Sequence, residues 1–285
     1  MILPMPNIVA DSFILGSPVD MVKIRDQARW QRSVKKICRK LLYRLENYNN
    51  SNFRQNGEAL FLADLFQTWR GTARVVCDVG ANVGHYSAQM LELAHQNQVA
   101  LALHLFEPTA SCYQELAARF AQEPAVYLNR FGLSDAHAEV PIFYDRQKSG
   151  MASLYRRNLS PLGIDLNHTE TIELRRLDQY IEAQKLSHID FLKFDIEGHE
   201  LSALRGMGAL LNSDFVDVIQ FEYGGANLDS HTSLLSLFEI LEAGGLALFR
   251  IMPNYLMPCR YEFHMDNFQY ANYVAMAPKV VSSCL

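Results

Sequence analysis

Short apolar runs alternate with longer amphipathic segments over most of the chain beyond residue 72. The run at residues 75–77 is unbroken and consists of small or β-branched side chains, which is typical of a strand buried on both faces of a parallel sheet. The segments between such runs place apolar residues three or four positions apart, as in a helix. Strands that alternate with helices of this length predict βαβ units and a parallel sheet with right-handed crossovers.

The pattern predicts the position of most elements. Strands are expected at residues 75–77, 100–106, 126–128, 139–145, 171–175, 216–221, 246–251 and 272–277, and another starts at residue 189. Helices are expected at residues 86–94, 111–121 and 234–243, and another follows Gly198. The last two strands are predicted to form an antiparallel hairpin. A loop at residues 149–168 is longer than a simple connection requires, so we expect it to serve a site.

The N-terminal part of the chain has a different pattern. Residues 1–70 are predicted to be a helical extension with helices at residues 21–48 and 58–69, and residues 71–285 to be the α/β domain. The first helix combines apolar positions at helical spacing with an excess of Lys and Arg. We interpret its basic face as a solvated face of a helix packed on the core. A face for a membrane surface or an acidic partner is the alternative.

One turn organises the predicted sheet. The segment RVVCDVGANVGHYS, which starts at Arg74, ends a buried strand at Asp78 and continues through Gly80 and Gly84 into a helix. Glycine allows a sharp turn and a close approach of a ligand, and the N–H groups at a helix N-terminus favour an anionic group. We interpret the segment as a nucleotide-binding turn. A tight turn without a ligand is the alternative.

The glycine spacing is not that of a dinucleotide-binding turn. Such a turn reads G-x-G-x-x-G, whereas here Asp78 and Asn82 replace two of the glycines. The order Asp78-x-Gly80-x-Asn82-x-Gly84 matches the pattern D/E-x-G-x-x-x-G of class I methyltransferases that bind S-adenosylmethionine.

Composition and charge exclude several classes of function. A net charge of −5 gives no broad basic field, so we expect no nucleic-acid partner. The five cysteines lie far apart without a zinc spacing, which is typical of reduced thiols in a cytoplasmic protein. The first twenty residues lack a basic start and contain prolines, so they are a poor signal peptide, and no run is long enough for a transmembrane segment.

Several ordered segments resemble one known family, the FkbM-type methyltransferases. They are DVGANVGHYS, FEPTASCY, the SGMASL loop, IELRRLDQYI, IDFLKFDIEGHELSALRGM and IQFEY. The resemblance covers residues 74–278 and leaves the N-terminal helices unmatched. It implies a Rossmann-like class I fold with helices on both faces of a seven-stranded sheet, six strands parallel and one antiparallel. It also implies methyl transfer from S-adenosylmethionine, typically to a hydroxyl oxygen.

The expected cofactor site follows the carboxyl ends of the first three strands, where ligands bind in open parallel sheets. Glu107 is placed to accept hydrogen bonds from both ribose hydroxyls, because a carboxylate offers two acceptor oxygens. Gly80 and Gly84, which follow Asp78, would admit the methionine portion. The remaining candidates are Asn82 and His85 near its amino and carboxylate groups, and Ser134 and Asp135 near the adenine.

The expected catalytic group follows the later strands and contains Asp195, Glu197, His199 and Glu222. Transfer to a hydroxyl requires removal of a proton, and the ordinary pKa of histidine suits a base at neutral pH. His199 as a capping residue is the alternative. Asp195 and Glu222 end neighbouring strands, so together they are also a candidate site for a divalent cation such as Mg²⁺.

We therefore predict an O-methyltransferase that uses S-adenosylmethionine. The expected acceptor is a hydroxyl of a small molecule, of a sugar or glycan, or of a secondary metabolite. Two alternatives stay open, an N-methyltransferase and a non-catalytic module of the same fold that binds a nucleotide or a carbohydrate. The sequence leaves a homo-oligomer open.

Overall fold

The computed structural model describes residues 29–284, so residues 21–28 of the predicted first helix lie outside the described residues. The chain divides into two compact units between residues 42 and 43. The helices are α1 (Arg29–Leu45), α2 (Glu58–Thr68), α3 (His85–Asn97), α4 (Ala110–Arg119), α5 (Leu177–Gln184), α6 (Glu200–Arg205), α7 (Gly225–Asp229), α8 (Leu234–Ala243) and α9 (Pro278–Cys284). Within the described residues, no helix is both long and apolar enough to cross a bilayer.

The strands of the second unit form two sheets. They are β1 (Ala73–Val79), β2 (Ala100–Phe106), β3 (Val126–Asn129), β4 (Gly132–Leu133), β5 (Ala138–Tyr144), β6 (His168–Arg175), β7 (Ile189–Phe194), β8 (Val216–Tyr223), β9 (Ala247–Met252), β10 (Tyr255–Pro258) and β11 (Ala271–Met276). Within residues 29–284, the larger sheet has eight strands in the order β10-β9-β11-β8-β7-β1-β2-β3.

The larger sheet has the predicted class I methyltransferase topology. The strands β3, β2, β1, β7 and β8 are paired in parallel, and β11 pairs antiparallel with both β8 and β9. Strand β9 consequently runs in the direction of β8, so six of these seven strands share one direction and β11 has the other. The predicted antiparallel pairing of residues 246–251 with residues 272–277 is thus confirmed by β9 and β11. The sheet differs from the prediction by the additional edge strand β10, which pairs antiparallel with β9.

Buried apolar side chains cover both faces of this sheet. One cluster contains Leu192, Phe221 and Phe238 of β7, β8 and α8. The other contains Phe66, Met90 and Phe191 of α2, α3 and β7. Alternate residues of the same strands thus enter opposite clusters, as expected for strands that are buried on both faces.

Helix α2 is part of the compact domain. Its side chains Phe61, Leu62, Leu65 and Phe66 are buried. The second unit begins at Tyr43, well before the division that the sequence predicted near residue 70. The apolar stripe of α2 explains the difference, because a helix with such a stripe gains stability by packing against the sheet.

The strands of the smaller sheet follow the third strand of the larger sheet along the chain. Its strand order is β4-β6-β5, with β5 and β6 antiparallel. Ile142, Ile172 and Leu174 form its buried cluster. The segment between β5 and β6 contains most of the predicted long loop, and β6 begins at His168, where that loop was expected to end.

Candidate active site

A cavity lies at the carboxyl ends of β1, β2 and β7. Its volume is about 150 Å³, and its walls include side chains of the smaller sheet. Six of the predicted site residues line it, namely Gly80, Asn82, Glu107, Asp195, Glu197 and His199. Ligand pockets usually measure about 300–1,000 Å³, so a cofactor of nucleotide size requires this cavity to widen.

The turn from β1 to α3 requires glycine at two positions, because a side chain at either position would collide with other residues of the protein. Gly80 has φ +85°, and a Cβ atom there would lie 1.9 Å from the carbonyl oxygen of Asp195. Gly84 has φ +80°, and its Cβ would lie 2.6 Å from the ring of Phe120 on the segment after α4. Gly84 therefore lies against the core, whereas Gly80 also borders the cavity.

Asp78 is buried beneath this turn. Its Oδ2 accepts a hydrogen bond from the Ser87 hydroxyl at 2.5 Å, which connects the end of β1 to α3. Burial raises the pKa of the Asp78 carboxyl. Because Asp78 is not a cavity wall, the described contacts give it a supporting role under the turn.

Glu107 follows β2 and aligns two segments of the cavity wall. Its Oε1 accepts bonds from the backbone N–H of Thr109 at 2.8 Å and from the Thr109 hydroxyl at 2.6 Å. Its Oε2 accepts one from the N–H of Asn82 at 3.0 Å. Burial raises the pKa of Glu107, and these hydrogen bonds oppose the rise. A carboxylate has about four acceptor positions, so one is left for a ligand hydroxyl.

Residues 149–157, here called the lid segment, cross the cavity. Asn82 donates from Nδ2 to the carbonyl oxygen of Ser149 at 2.9 Å. Ser153 donates from its hydroxyl to the carbonyl oxygen of Glu197 at 3.0 Å. The lid segment is thus hydrogen-bonded both to the turn after β1 and to the segment after β7, which accounts for the small volume of the cavity.

His199 joins the lid segment to the end of the smaller sheet. Its Nδ1 is hydrogen-bonded to the Tyr155 hydroxyl and its Nε2 to the Ser134 hydroxyl, both at 2.9 Å. Burial lowers the pKa of His199 to about 4. The imidazole is consequently a weak base and is occupied on both nitrogens, which favours a positioning role over that of a base.

Glu197 holds the other end of the lid segment. Its carboxylate forms an ion pair with Arg157, whose Nε also lies 3.4 Å from Asp229 Oδ2. Glu197 has φ +50°, an uncommon conformation for a residue with a side chain. Burial raises its pKa to about 7, although the charge of Arg157 opposes this.

Glu200 is a neighbouring buried carboxyl that sequence reasoning did not select. Its Oε1 accepts bonds from the N–H groups of Ile196 at 3.3 Å and Gly198 at 3.2 Å. Burial raises its pKa to about 7. Among the described residues, its Oε2 has no hydrogen-bond partner. Glu200 thus stabilises the turn that carries Glu197.

Lys193 is the centre of a group of carboxylates beside the cavity, here called the carboxylate cluster. Its Nζ lies 2.9 Å from Asp195 Oδ2 and 4.7 Å from the centre of the Tyr86 ring. Burial alone would lower the pKa of Lys193, but the surrounding negative charges raise it above its ordinary value. These charges belong to Asp195, Asp78, Glu222 and Glu58. The ammonium group is therefore charged at neutral pH.

Glu222 is another member of the carboxylate cluster. Its Oε1 accepts a hydrogen bond from the Tyr270 hydroxyl at 2.8 Å, and that hydroxyl also accepts one from Asn272 Nδ2 at 3.0 Å. Burial raises the pKa of Glu222 well above its ordinary value. The charge of Asp195 adds to this rise, and that of Lys193 opposes it.

Helix α2 contributes a carboxyl to the same cluster. Glu58 accepts a hydrogen bond from Gln220 Nε2 at 2.7 Å, and Gln220 Oε1 accepts one from the Tyr86 hydroxyl at 2.8 Å. Burial raises the pKa of Glu58, whereas the charge of Lys193 lowers it. The beginning of α2 is therefore tied to β8 and α3 by buried polar contacts.

Asp195 is where the two halves of the site meet. It lines the cavity, and its side chain, which is 39% exposed, forms the ion pair with Lys193. Other predicted residues lie outside this junction: His85 is exposed at the start of α3, and Asp135 accepts a bond from the Ser134 hydroxyl at 3.2 Å. Neither lines the cavity.

Besides Glu200, sequence reasoning missed four residues of the site, namely Glu58, Arg157, Lys193 and Tyr270. One signal was available, because Lys193 interrupts an otherwise apolar run that leads to Asp195. A buried lysine usually has a carboxylate partner. Arg157 lies in the loop at residues 149–168 that was predicted to serve a site, whereas Glu58 and Tyr270 contact the site across long sequence separations and have no local pattern.

The predicted divalent cation between Asp195 and Glu222 stays a prediction. The ammonium group of Lys193 already supplies positive charge between the carboxylates, which does not favour a second cation there. Elsewhere among the described residues, His188, Asp190 and Asp217 approach one another closely enough to hold an ion. Arg74 pairs with Asp190 at 3.2 Å and Lys279 with Asp217 at 2.7 Å, so these carboxylates already have cationic partners.

Curated relatives are similar in sequence to part of this chain. The AMB antimetabolite synthetase AmbE of Pseudomonas aeruginosa is 31% identical, over 47% of this chain and 8% of AmbE. The methyltransferase sdnD of Sordaria araneosa is 28% identical, over 46% of this chain and 60% of sdnD. The hexuronic acid methyltransferase AglP of Haloferax volcanii is 25% identical, over 57% of this chain and 61% of AglP. The chain thus spans less than two thirds of the length of each.

Solved structures with a similar path of the chain include two with a bound cofactor or its product. The 1,6-didemethyltoxoflavin-N1-methyltransferase of Burkholderia thailandensis, with bound S-adenosylhomocysteine, is 12% identical at a TM-score of 0.38 and covers 92% of this chain and 98% of its own. Fibrillarin of Aeropyrum pernix, with bound S-adenosyl-L-methionine, is 10% identical at a TM-score of 0.39 and covers 76% of this chain and 74% of its own.

The family of this chain follows from a sequence match over most of the α/β domain. The methyltransferase FkbM domain family matches residues 78–263, from the end of β1 to the loop before β11. This range contains every residue that lines the cavity. The sheet order agrees with the class I methyltransferase topology that the family resemblance implied. The chain therefore belongs to the FkbM methyltransferase family.

Proposed function

We propose that this protein transfers the methyl group of S-adenosylmethionine to a hydroxyl oxygen of a small molecule or sugar. The observation that carries the proposal is the position of Asp195. This carboxylate borders the cavity at the carboxyl edge of the parallel strands and also belongs to a cluster of carboxylates around one buried ammonium group. Donor binding and proton removal are then adjacent.

The cavity walls offer the contacts that the adenosine part of the donor requires once the cavity has widened. Phe106, Leu133 and Ile172 provide apolar walls for a flat base, and Glu107 keeps one acceptor position for a ribose hydroxyl. Gly80 and Asn82 line the side on which the methionine part would lie. The lid segment must move outward for the donor to enter, because it is hydrogen-bonded across the cavity.

The carboxylate cluster fits an acceptor hydroxyl. S-adenosylmethionine, when bound, supplies an electrophilic methyl group. What the protein must add is alignment of the acceptor oxygen and a group that takes its proton. Asp195 is the half-exposed carboxylate at the cavity and is proposed as the base. Glu222, held by Tyr270, is proposed to orient the acceptor, and Lys193 limits the build-up of negative charge.

His199 and Glu197 are proposed as positioning residues. Both contact the lid segment, His199 through Tyr155 and Glu197 through Arg157. The lowered pKa of His199 makes it a weak base, which removes the reason for which the sequence favoured it. The two side chains would instead hold the lid segment closed over the bound donor.

The relatives suggest where the acceptor search should start. AglP is named as a hexuronic acid methyltransferase, so sugar acids form the first panel. AmbE is named as an antimetabolite synthetase and sdnD as a methyltransferase. Hydroxylated metabolites therefore form the second panel. A third panel of primary and secondary amines tests N-methylation.

The experiment is a product analysis by mass spectrometry after incubation with S-adenosylmethionine and each panel. We expect an O-methylated product from the first or second panel, strongly reduced in Asp195→Asn. Lys279→Met, which removes an exposed ion pair on the far side of the sheet, is the control and should retain activity. A product from the amine panel alone, with full activity in Asp195→Asn, would contradict the proposal.

A further inference from the structure

Helix α1 has an unusual distribution of charge. Its 17 residues, RWQRSVKKICRKLLYRL, contain seven Lys or Arg residues and no Asp or Glu. The whole chain has a net charge of −5, so this concentration of positive charge is local. A face with such a charge has an affinity for anionic partners.

Five apolar residues of α1 form a separate stripe. They are Trp30, Val34, Ile37, Leu41 and Leu45, which follow one another at intervals of three or four positions and thus lie on one side of the helix. The exposed fraction is 66% for Trp30, 57% for Leu41 and 73% for Leu45. A helix with one polar and one apolar face normally buries the apolar one, yet α1 has no buried side chain.

We propose that α1 binds an anionic lipid surface and lies in the plane of the membrane. The stripe would enter the boundary between headgroups and acyl chains, and the Lys and Arg side chains would contact the anionic headgroups. The helix is about 25 Å long, and its seven charges prevent it from spanning the bilayer. Trp30, near the start of α1, is a residue type that favours the interface.

Charge favours a lipid surface over the other occupants. A second copy of α1 would bring another seven positive charges next to the first, which opposes packing of stripe against stripe. Nucleic acid would use the basic face and leave the stripe in water. An acidic protein groove could use both faces, so it is made an outcome of the test. An anionic bilayer matches the charge and the stripe together.

The experiment uses the full chain and phosphatidylcholine vesicles with or without about one third phosphatidylglycerol. We expect co-flotation with the anionic vesicles alone. The chain has two tryptophans, of which Trp69 is buried. In the Trp69→Phe background, the fluorescence of Trp30 should therefore shift to shorter wavelength on binding, and brominated lipids should quench it. Flotation of the unaltered chain covers the case in which Trp69→Phe does not fold.

Two variants and their matched controls test the two faces separately. Lys36→Glu with Lys40→Glu should reduce partitioning at least about tenfold and weaken its dependence on salt. Leu41→Ser should reduce it at least about threefold. Arg119→Glu with Arg260→Glu, and Leu60→Ser, change exposed residues of other elements and should keep partitioning within about twofold.

Three results would overturn the proposal. One is absence of flotation with anionic vesicles, in particular if an acidic protein such as calmodulin binds the same face. The second is equal partitioning into neutral and anionic vesicles. The third is a self-associated chain that Leu41→Ser dissociates in sedimentation velocity, since a second copy would then cover the stripe.

Discussion

The cavity and the carboxylate cluster adjoin at Asp195, but the chain builds them in different ways. The cavity uses residues that follow their strands closely, such as Gly80 after β1 and Glu107 after β2. The cluster joins Glu58, Lys193 and Tyr270 from distant parts of the chain. Hydrogen bonds to the backbone stabilise the first, and balance of buried charge stabilises the second.

This difference predicts how each half of the site responds to the removal of a side chain. At the cavity, Glu107 makes three hydrogen bonds to neighbouring segments, so its removal should affect local order and ligand affinity. In the cluster, one ammonium group offsets several carboxylates, so its removal should affect the stability of the whole domain.

The largest expected effect is that of Lys193→Met on stability. It leaves the carboxyls of Asp195, Glu222 and Glu58 without their cation in a buried position. Removal of one partner from a buried ion pair costs about 3–5 kcal/mol, and the exposure of Asp195 places this case near the lower value. Urea unfolding at neutral pH measures the change.

The control is Lys279→Met, which removes a cation whose side chain is 55% exposed. Exposed pairs contribute about 0–1 kcal/mol, so this variant should unfold near the wild-type midpoint. Equal destabilisation by both variants would show that charge balance in the cluster is not special.

The next effect is a dependence of stability on pH through Glu200. Its pKa is raised to about 7 in the folded state, so the folded protein binds this proton more tightly than the unfolded chain does. Stability from this group is present below the unfolded pKa of about 4.5 and is lost as the pH rises to about 7. Glu200→Gln keeps an acceptor for the two N–H groups and should reduce that loss.

Chemical unfolding at several pH values measures this loss of stability. The slope of the unfolding free energy against pH is at most about 1.4 kcal/mol per pH unit for one proton. Glu242→Gln, at an exposed position on α8, is the matched control and should leave the slope as in the wild type. An unchanged slope in Glu200→Gln would refute the raised pKa.

His199 should give the opposite dependence. Its pKa is lowered to about 4, so its contribution to stability is fully present above about pH 6.5 and is lost as the pH falls towards 4. The difference in unfolding free energy between wild type and His199→Gln should shrink over that range. A difference that grows on acidification would mean that the folded protein holds a charged imidazole.

The smallest expected effect is that of Tyr155→Phe. It removes one hydrogen bond between the lid segment and His199, worth about 1 kcal/mol, and keeps the ring. Amide exchange in residues 149–157 should become faster, while exchange in β7 stays slow. Tyr144→Phe, at the end of β5 and without a hydroxyl contact to His199, is the control.

Much of the fold follows from the sequence because each strand carries its own signal. Buried runs such as that of β1 need apolar residues on both faces, so their order along the chain predicts the parallel sheet. The short strand β10 was not predicted, because only two of its four residues are half-buried and its pattern resembles that of a loop. The apolar stripe of α2 predicts that one face of this helix is buried, but it does not specify the part of the chain against which that face packs.

The candidate site divides in the same way. Glu107, Gly80 and Asp195 were predicted because each stands at the end of a strand. Tyr270 and Glu58 reach Glu222 and Lys193 only after the sheet is assembled, so spacing contains no information about them. The pKa of His199 was misjudged from its ordinary value, because burial beside Tyr155 and Ser134 lowers it.

The most direct test of the account is calorimetric titration with S-adenosylhomocysteine of the wild type, Glu107→Ala and Glu222→Gln. The account predicts that the wild type binds, that Glu107→Ala loses at least about tenfold in affinity, and that Glu222→Gln binds like the wild type. Folding of each variant is checked by circular dichroism. Loss of affinity in Glu222→Gln with full affinity in Glu107→Ala, or no binding by the folded wild type, would contradict it.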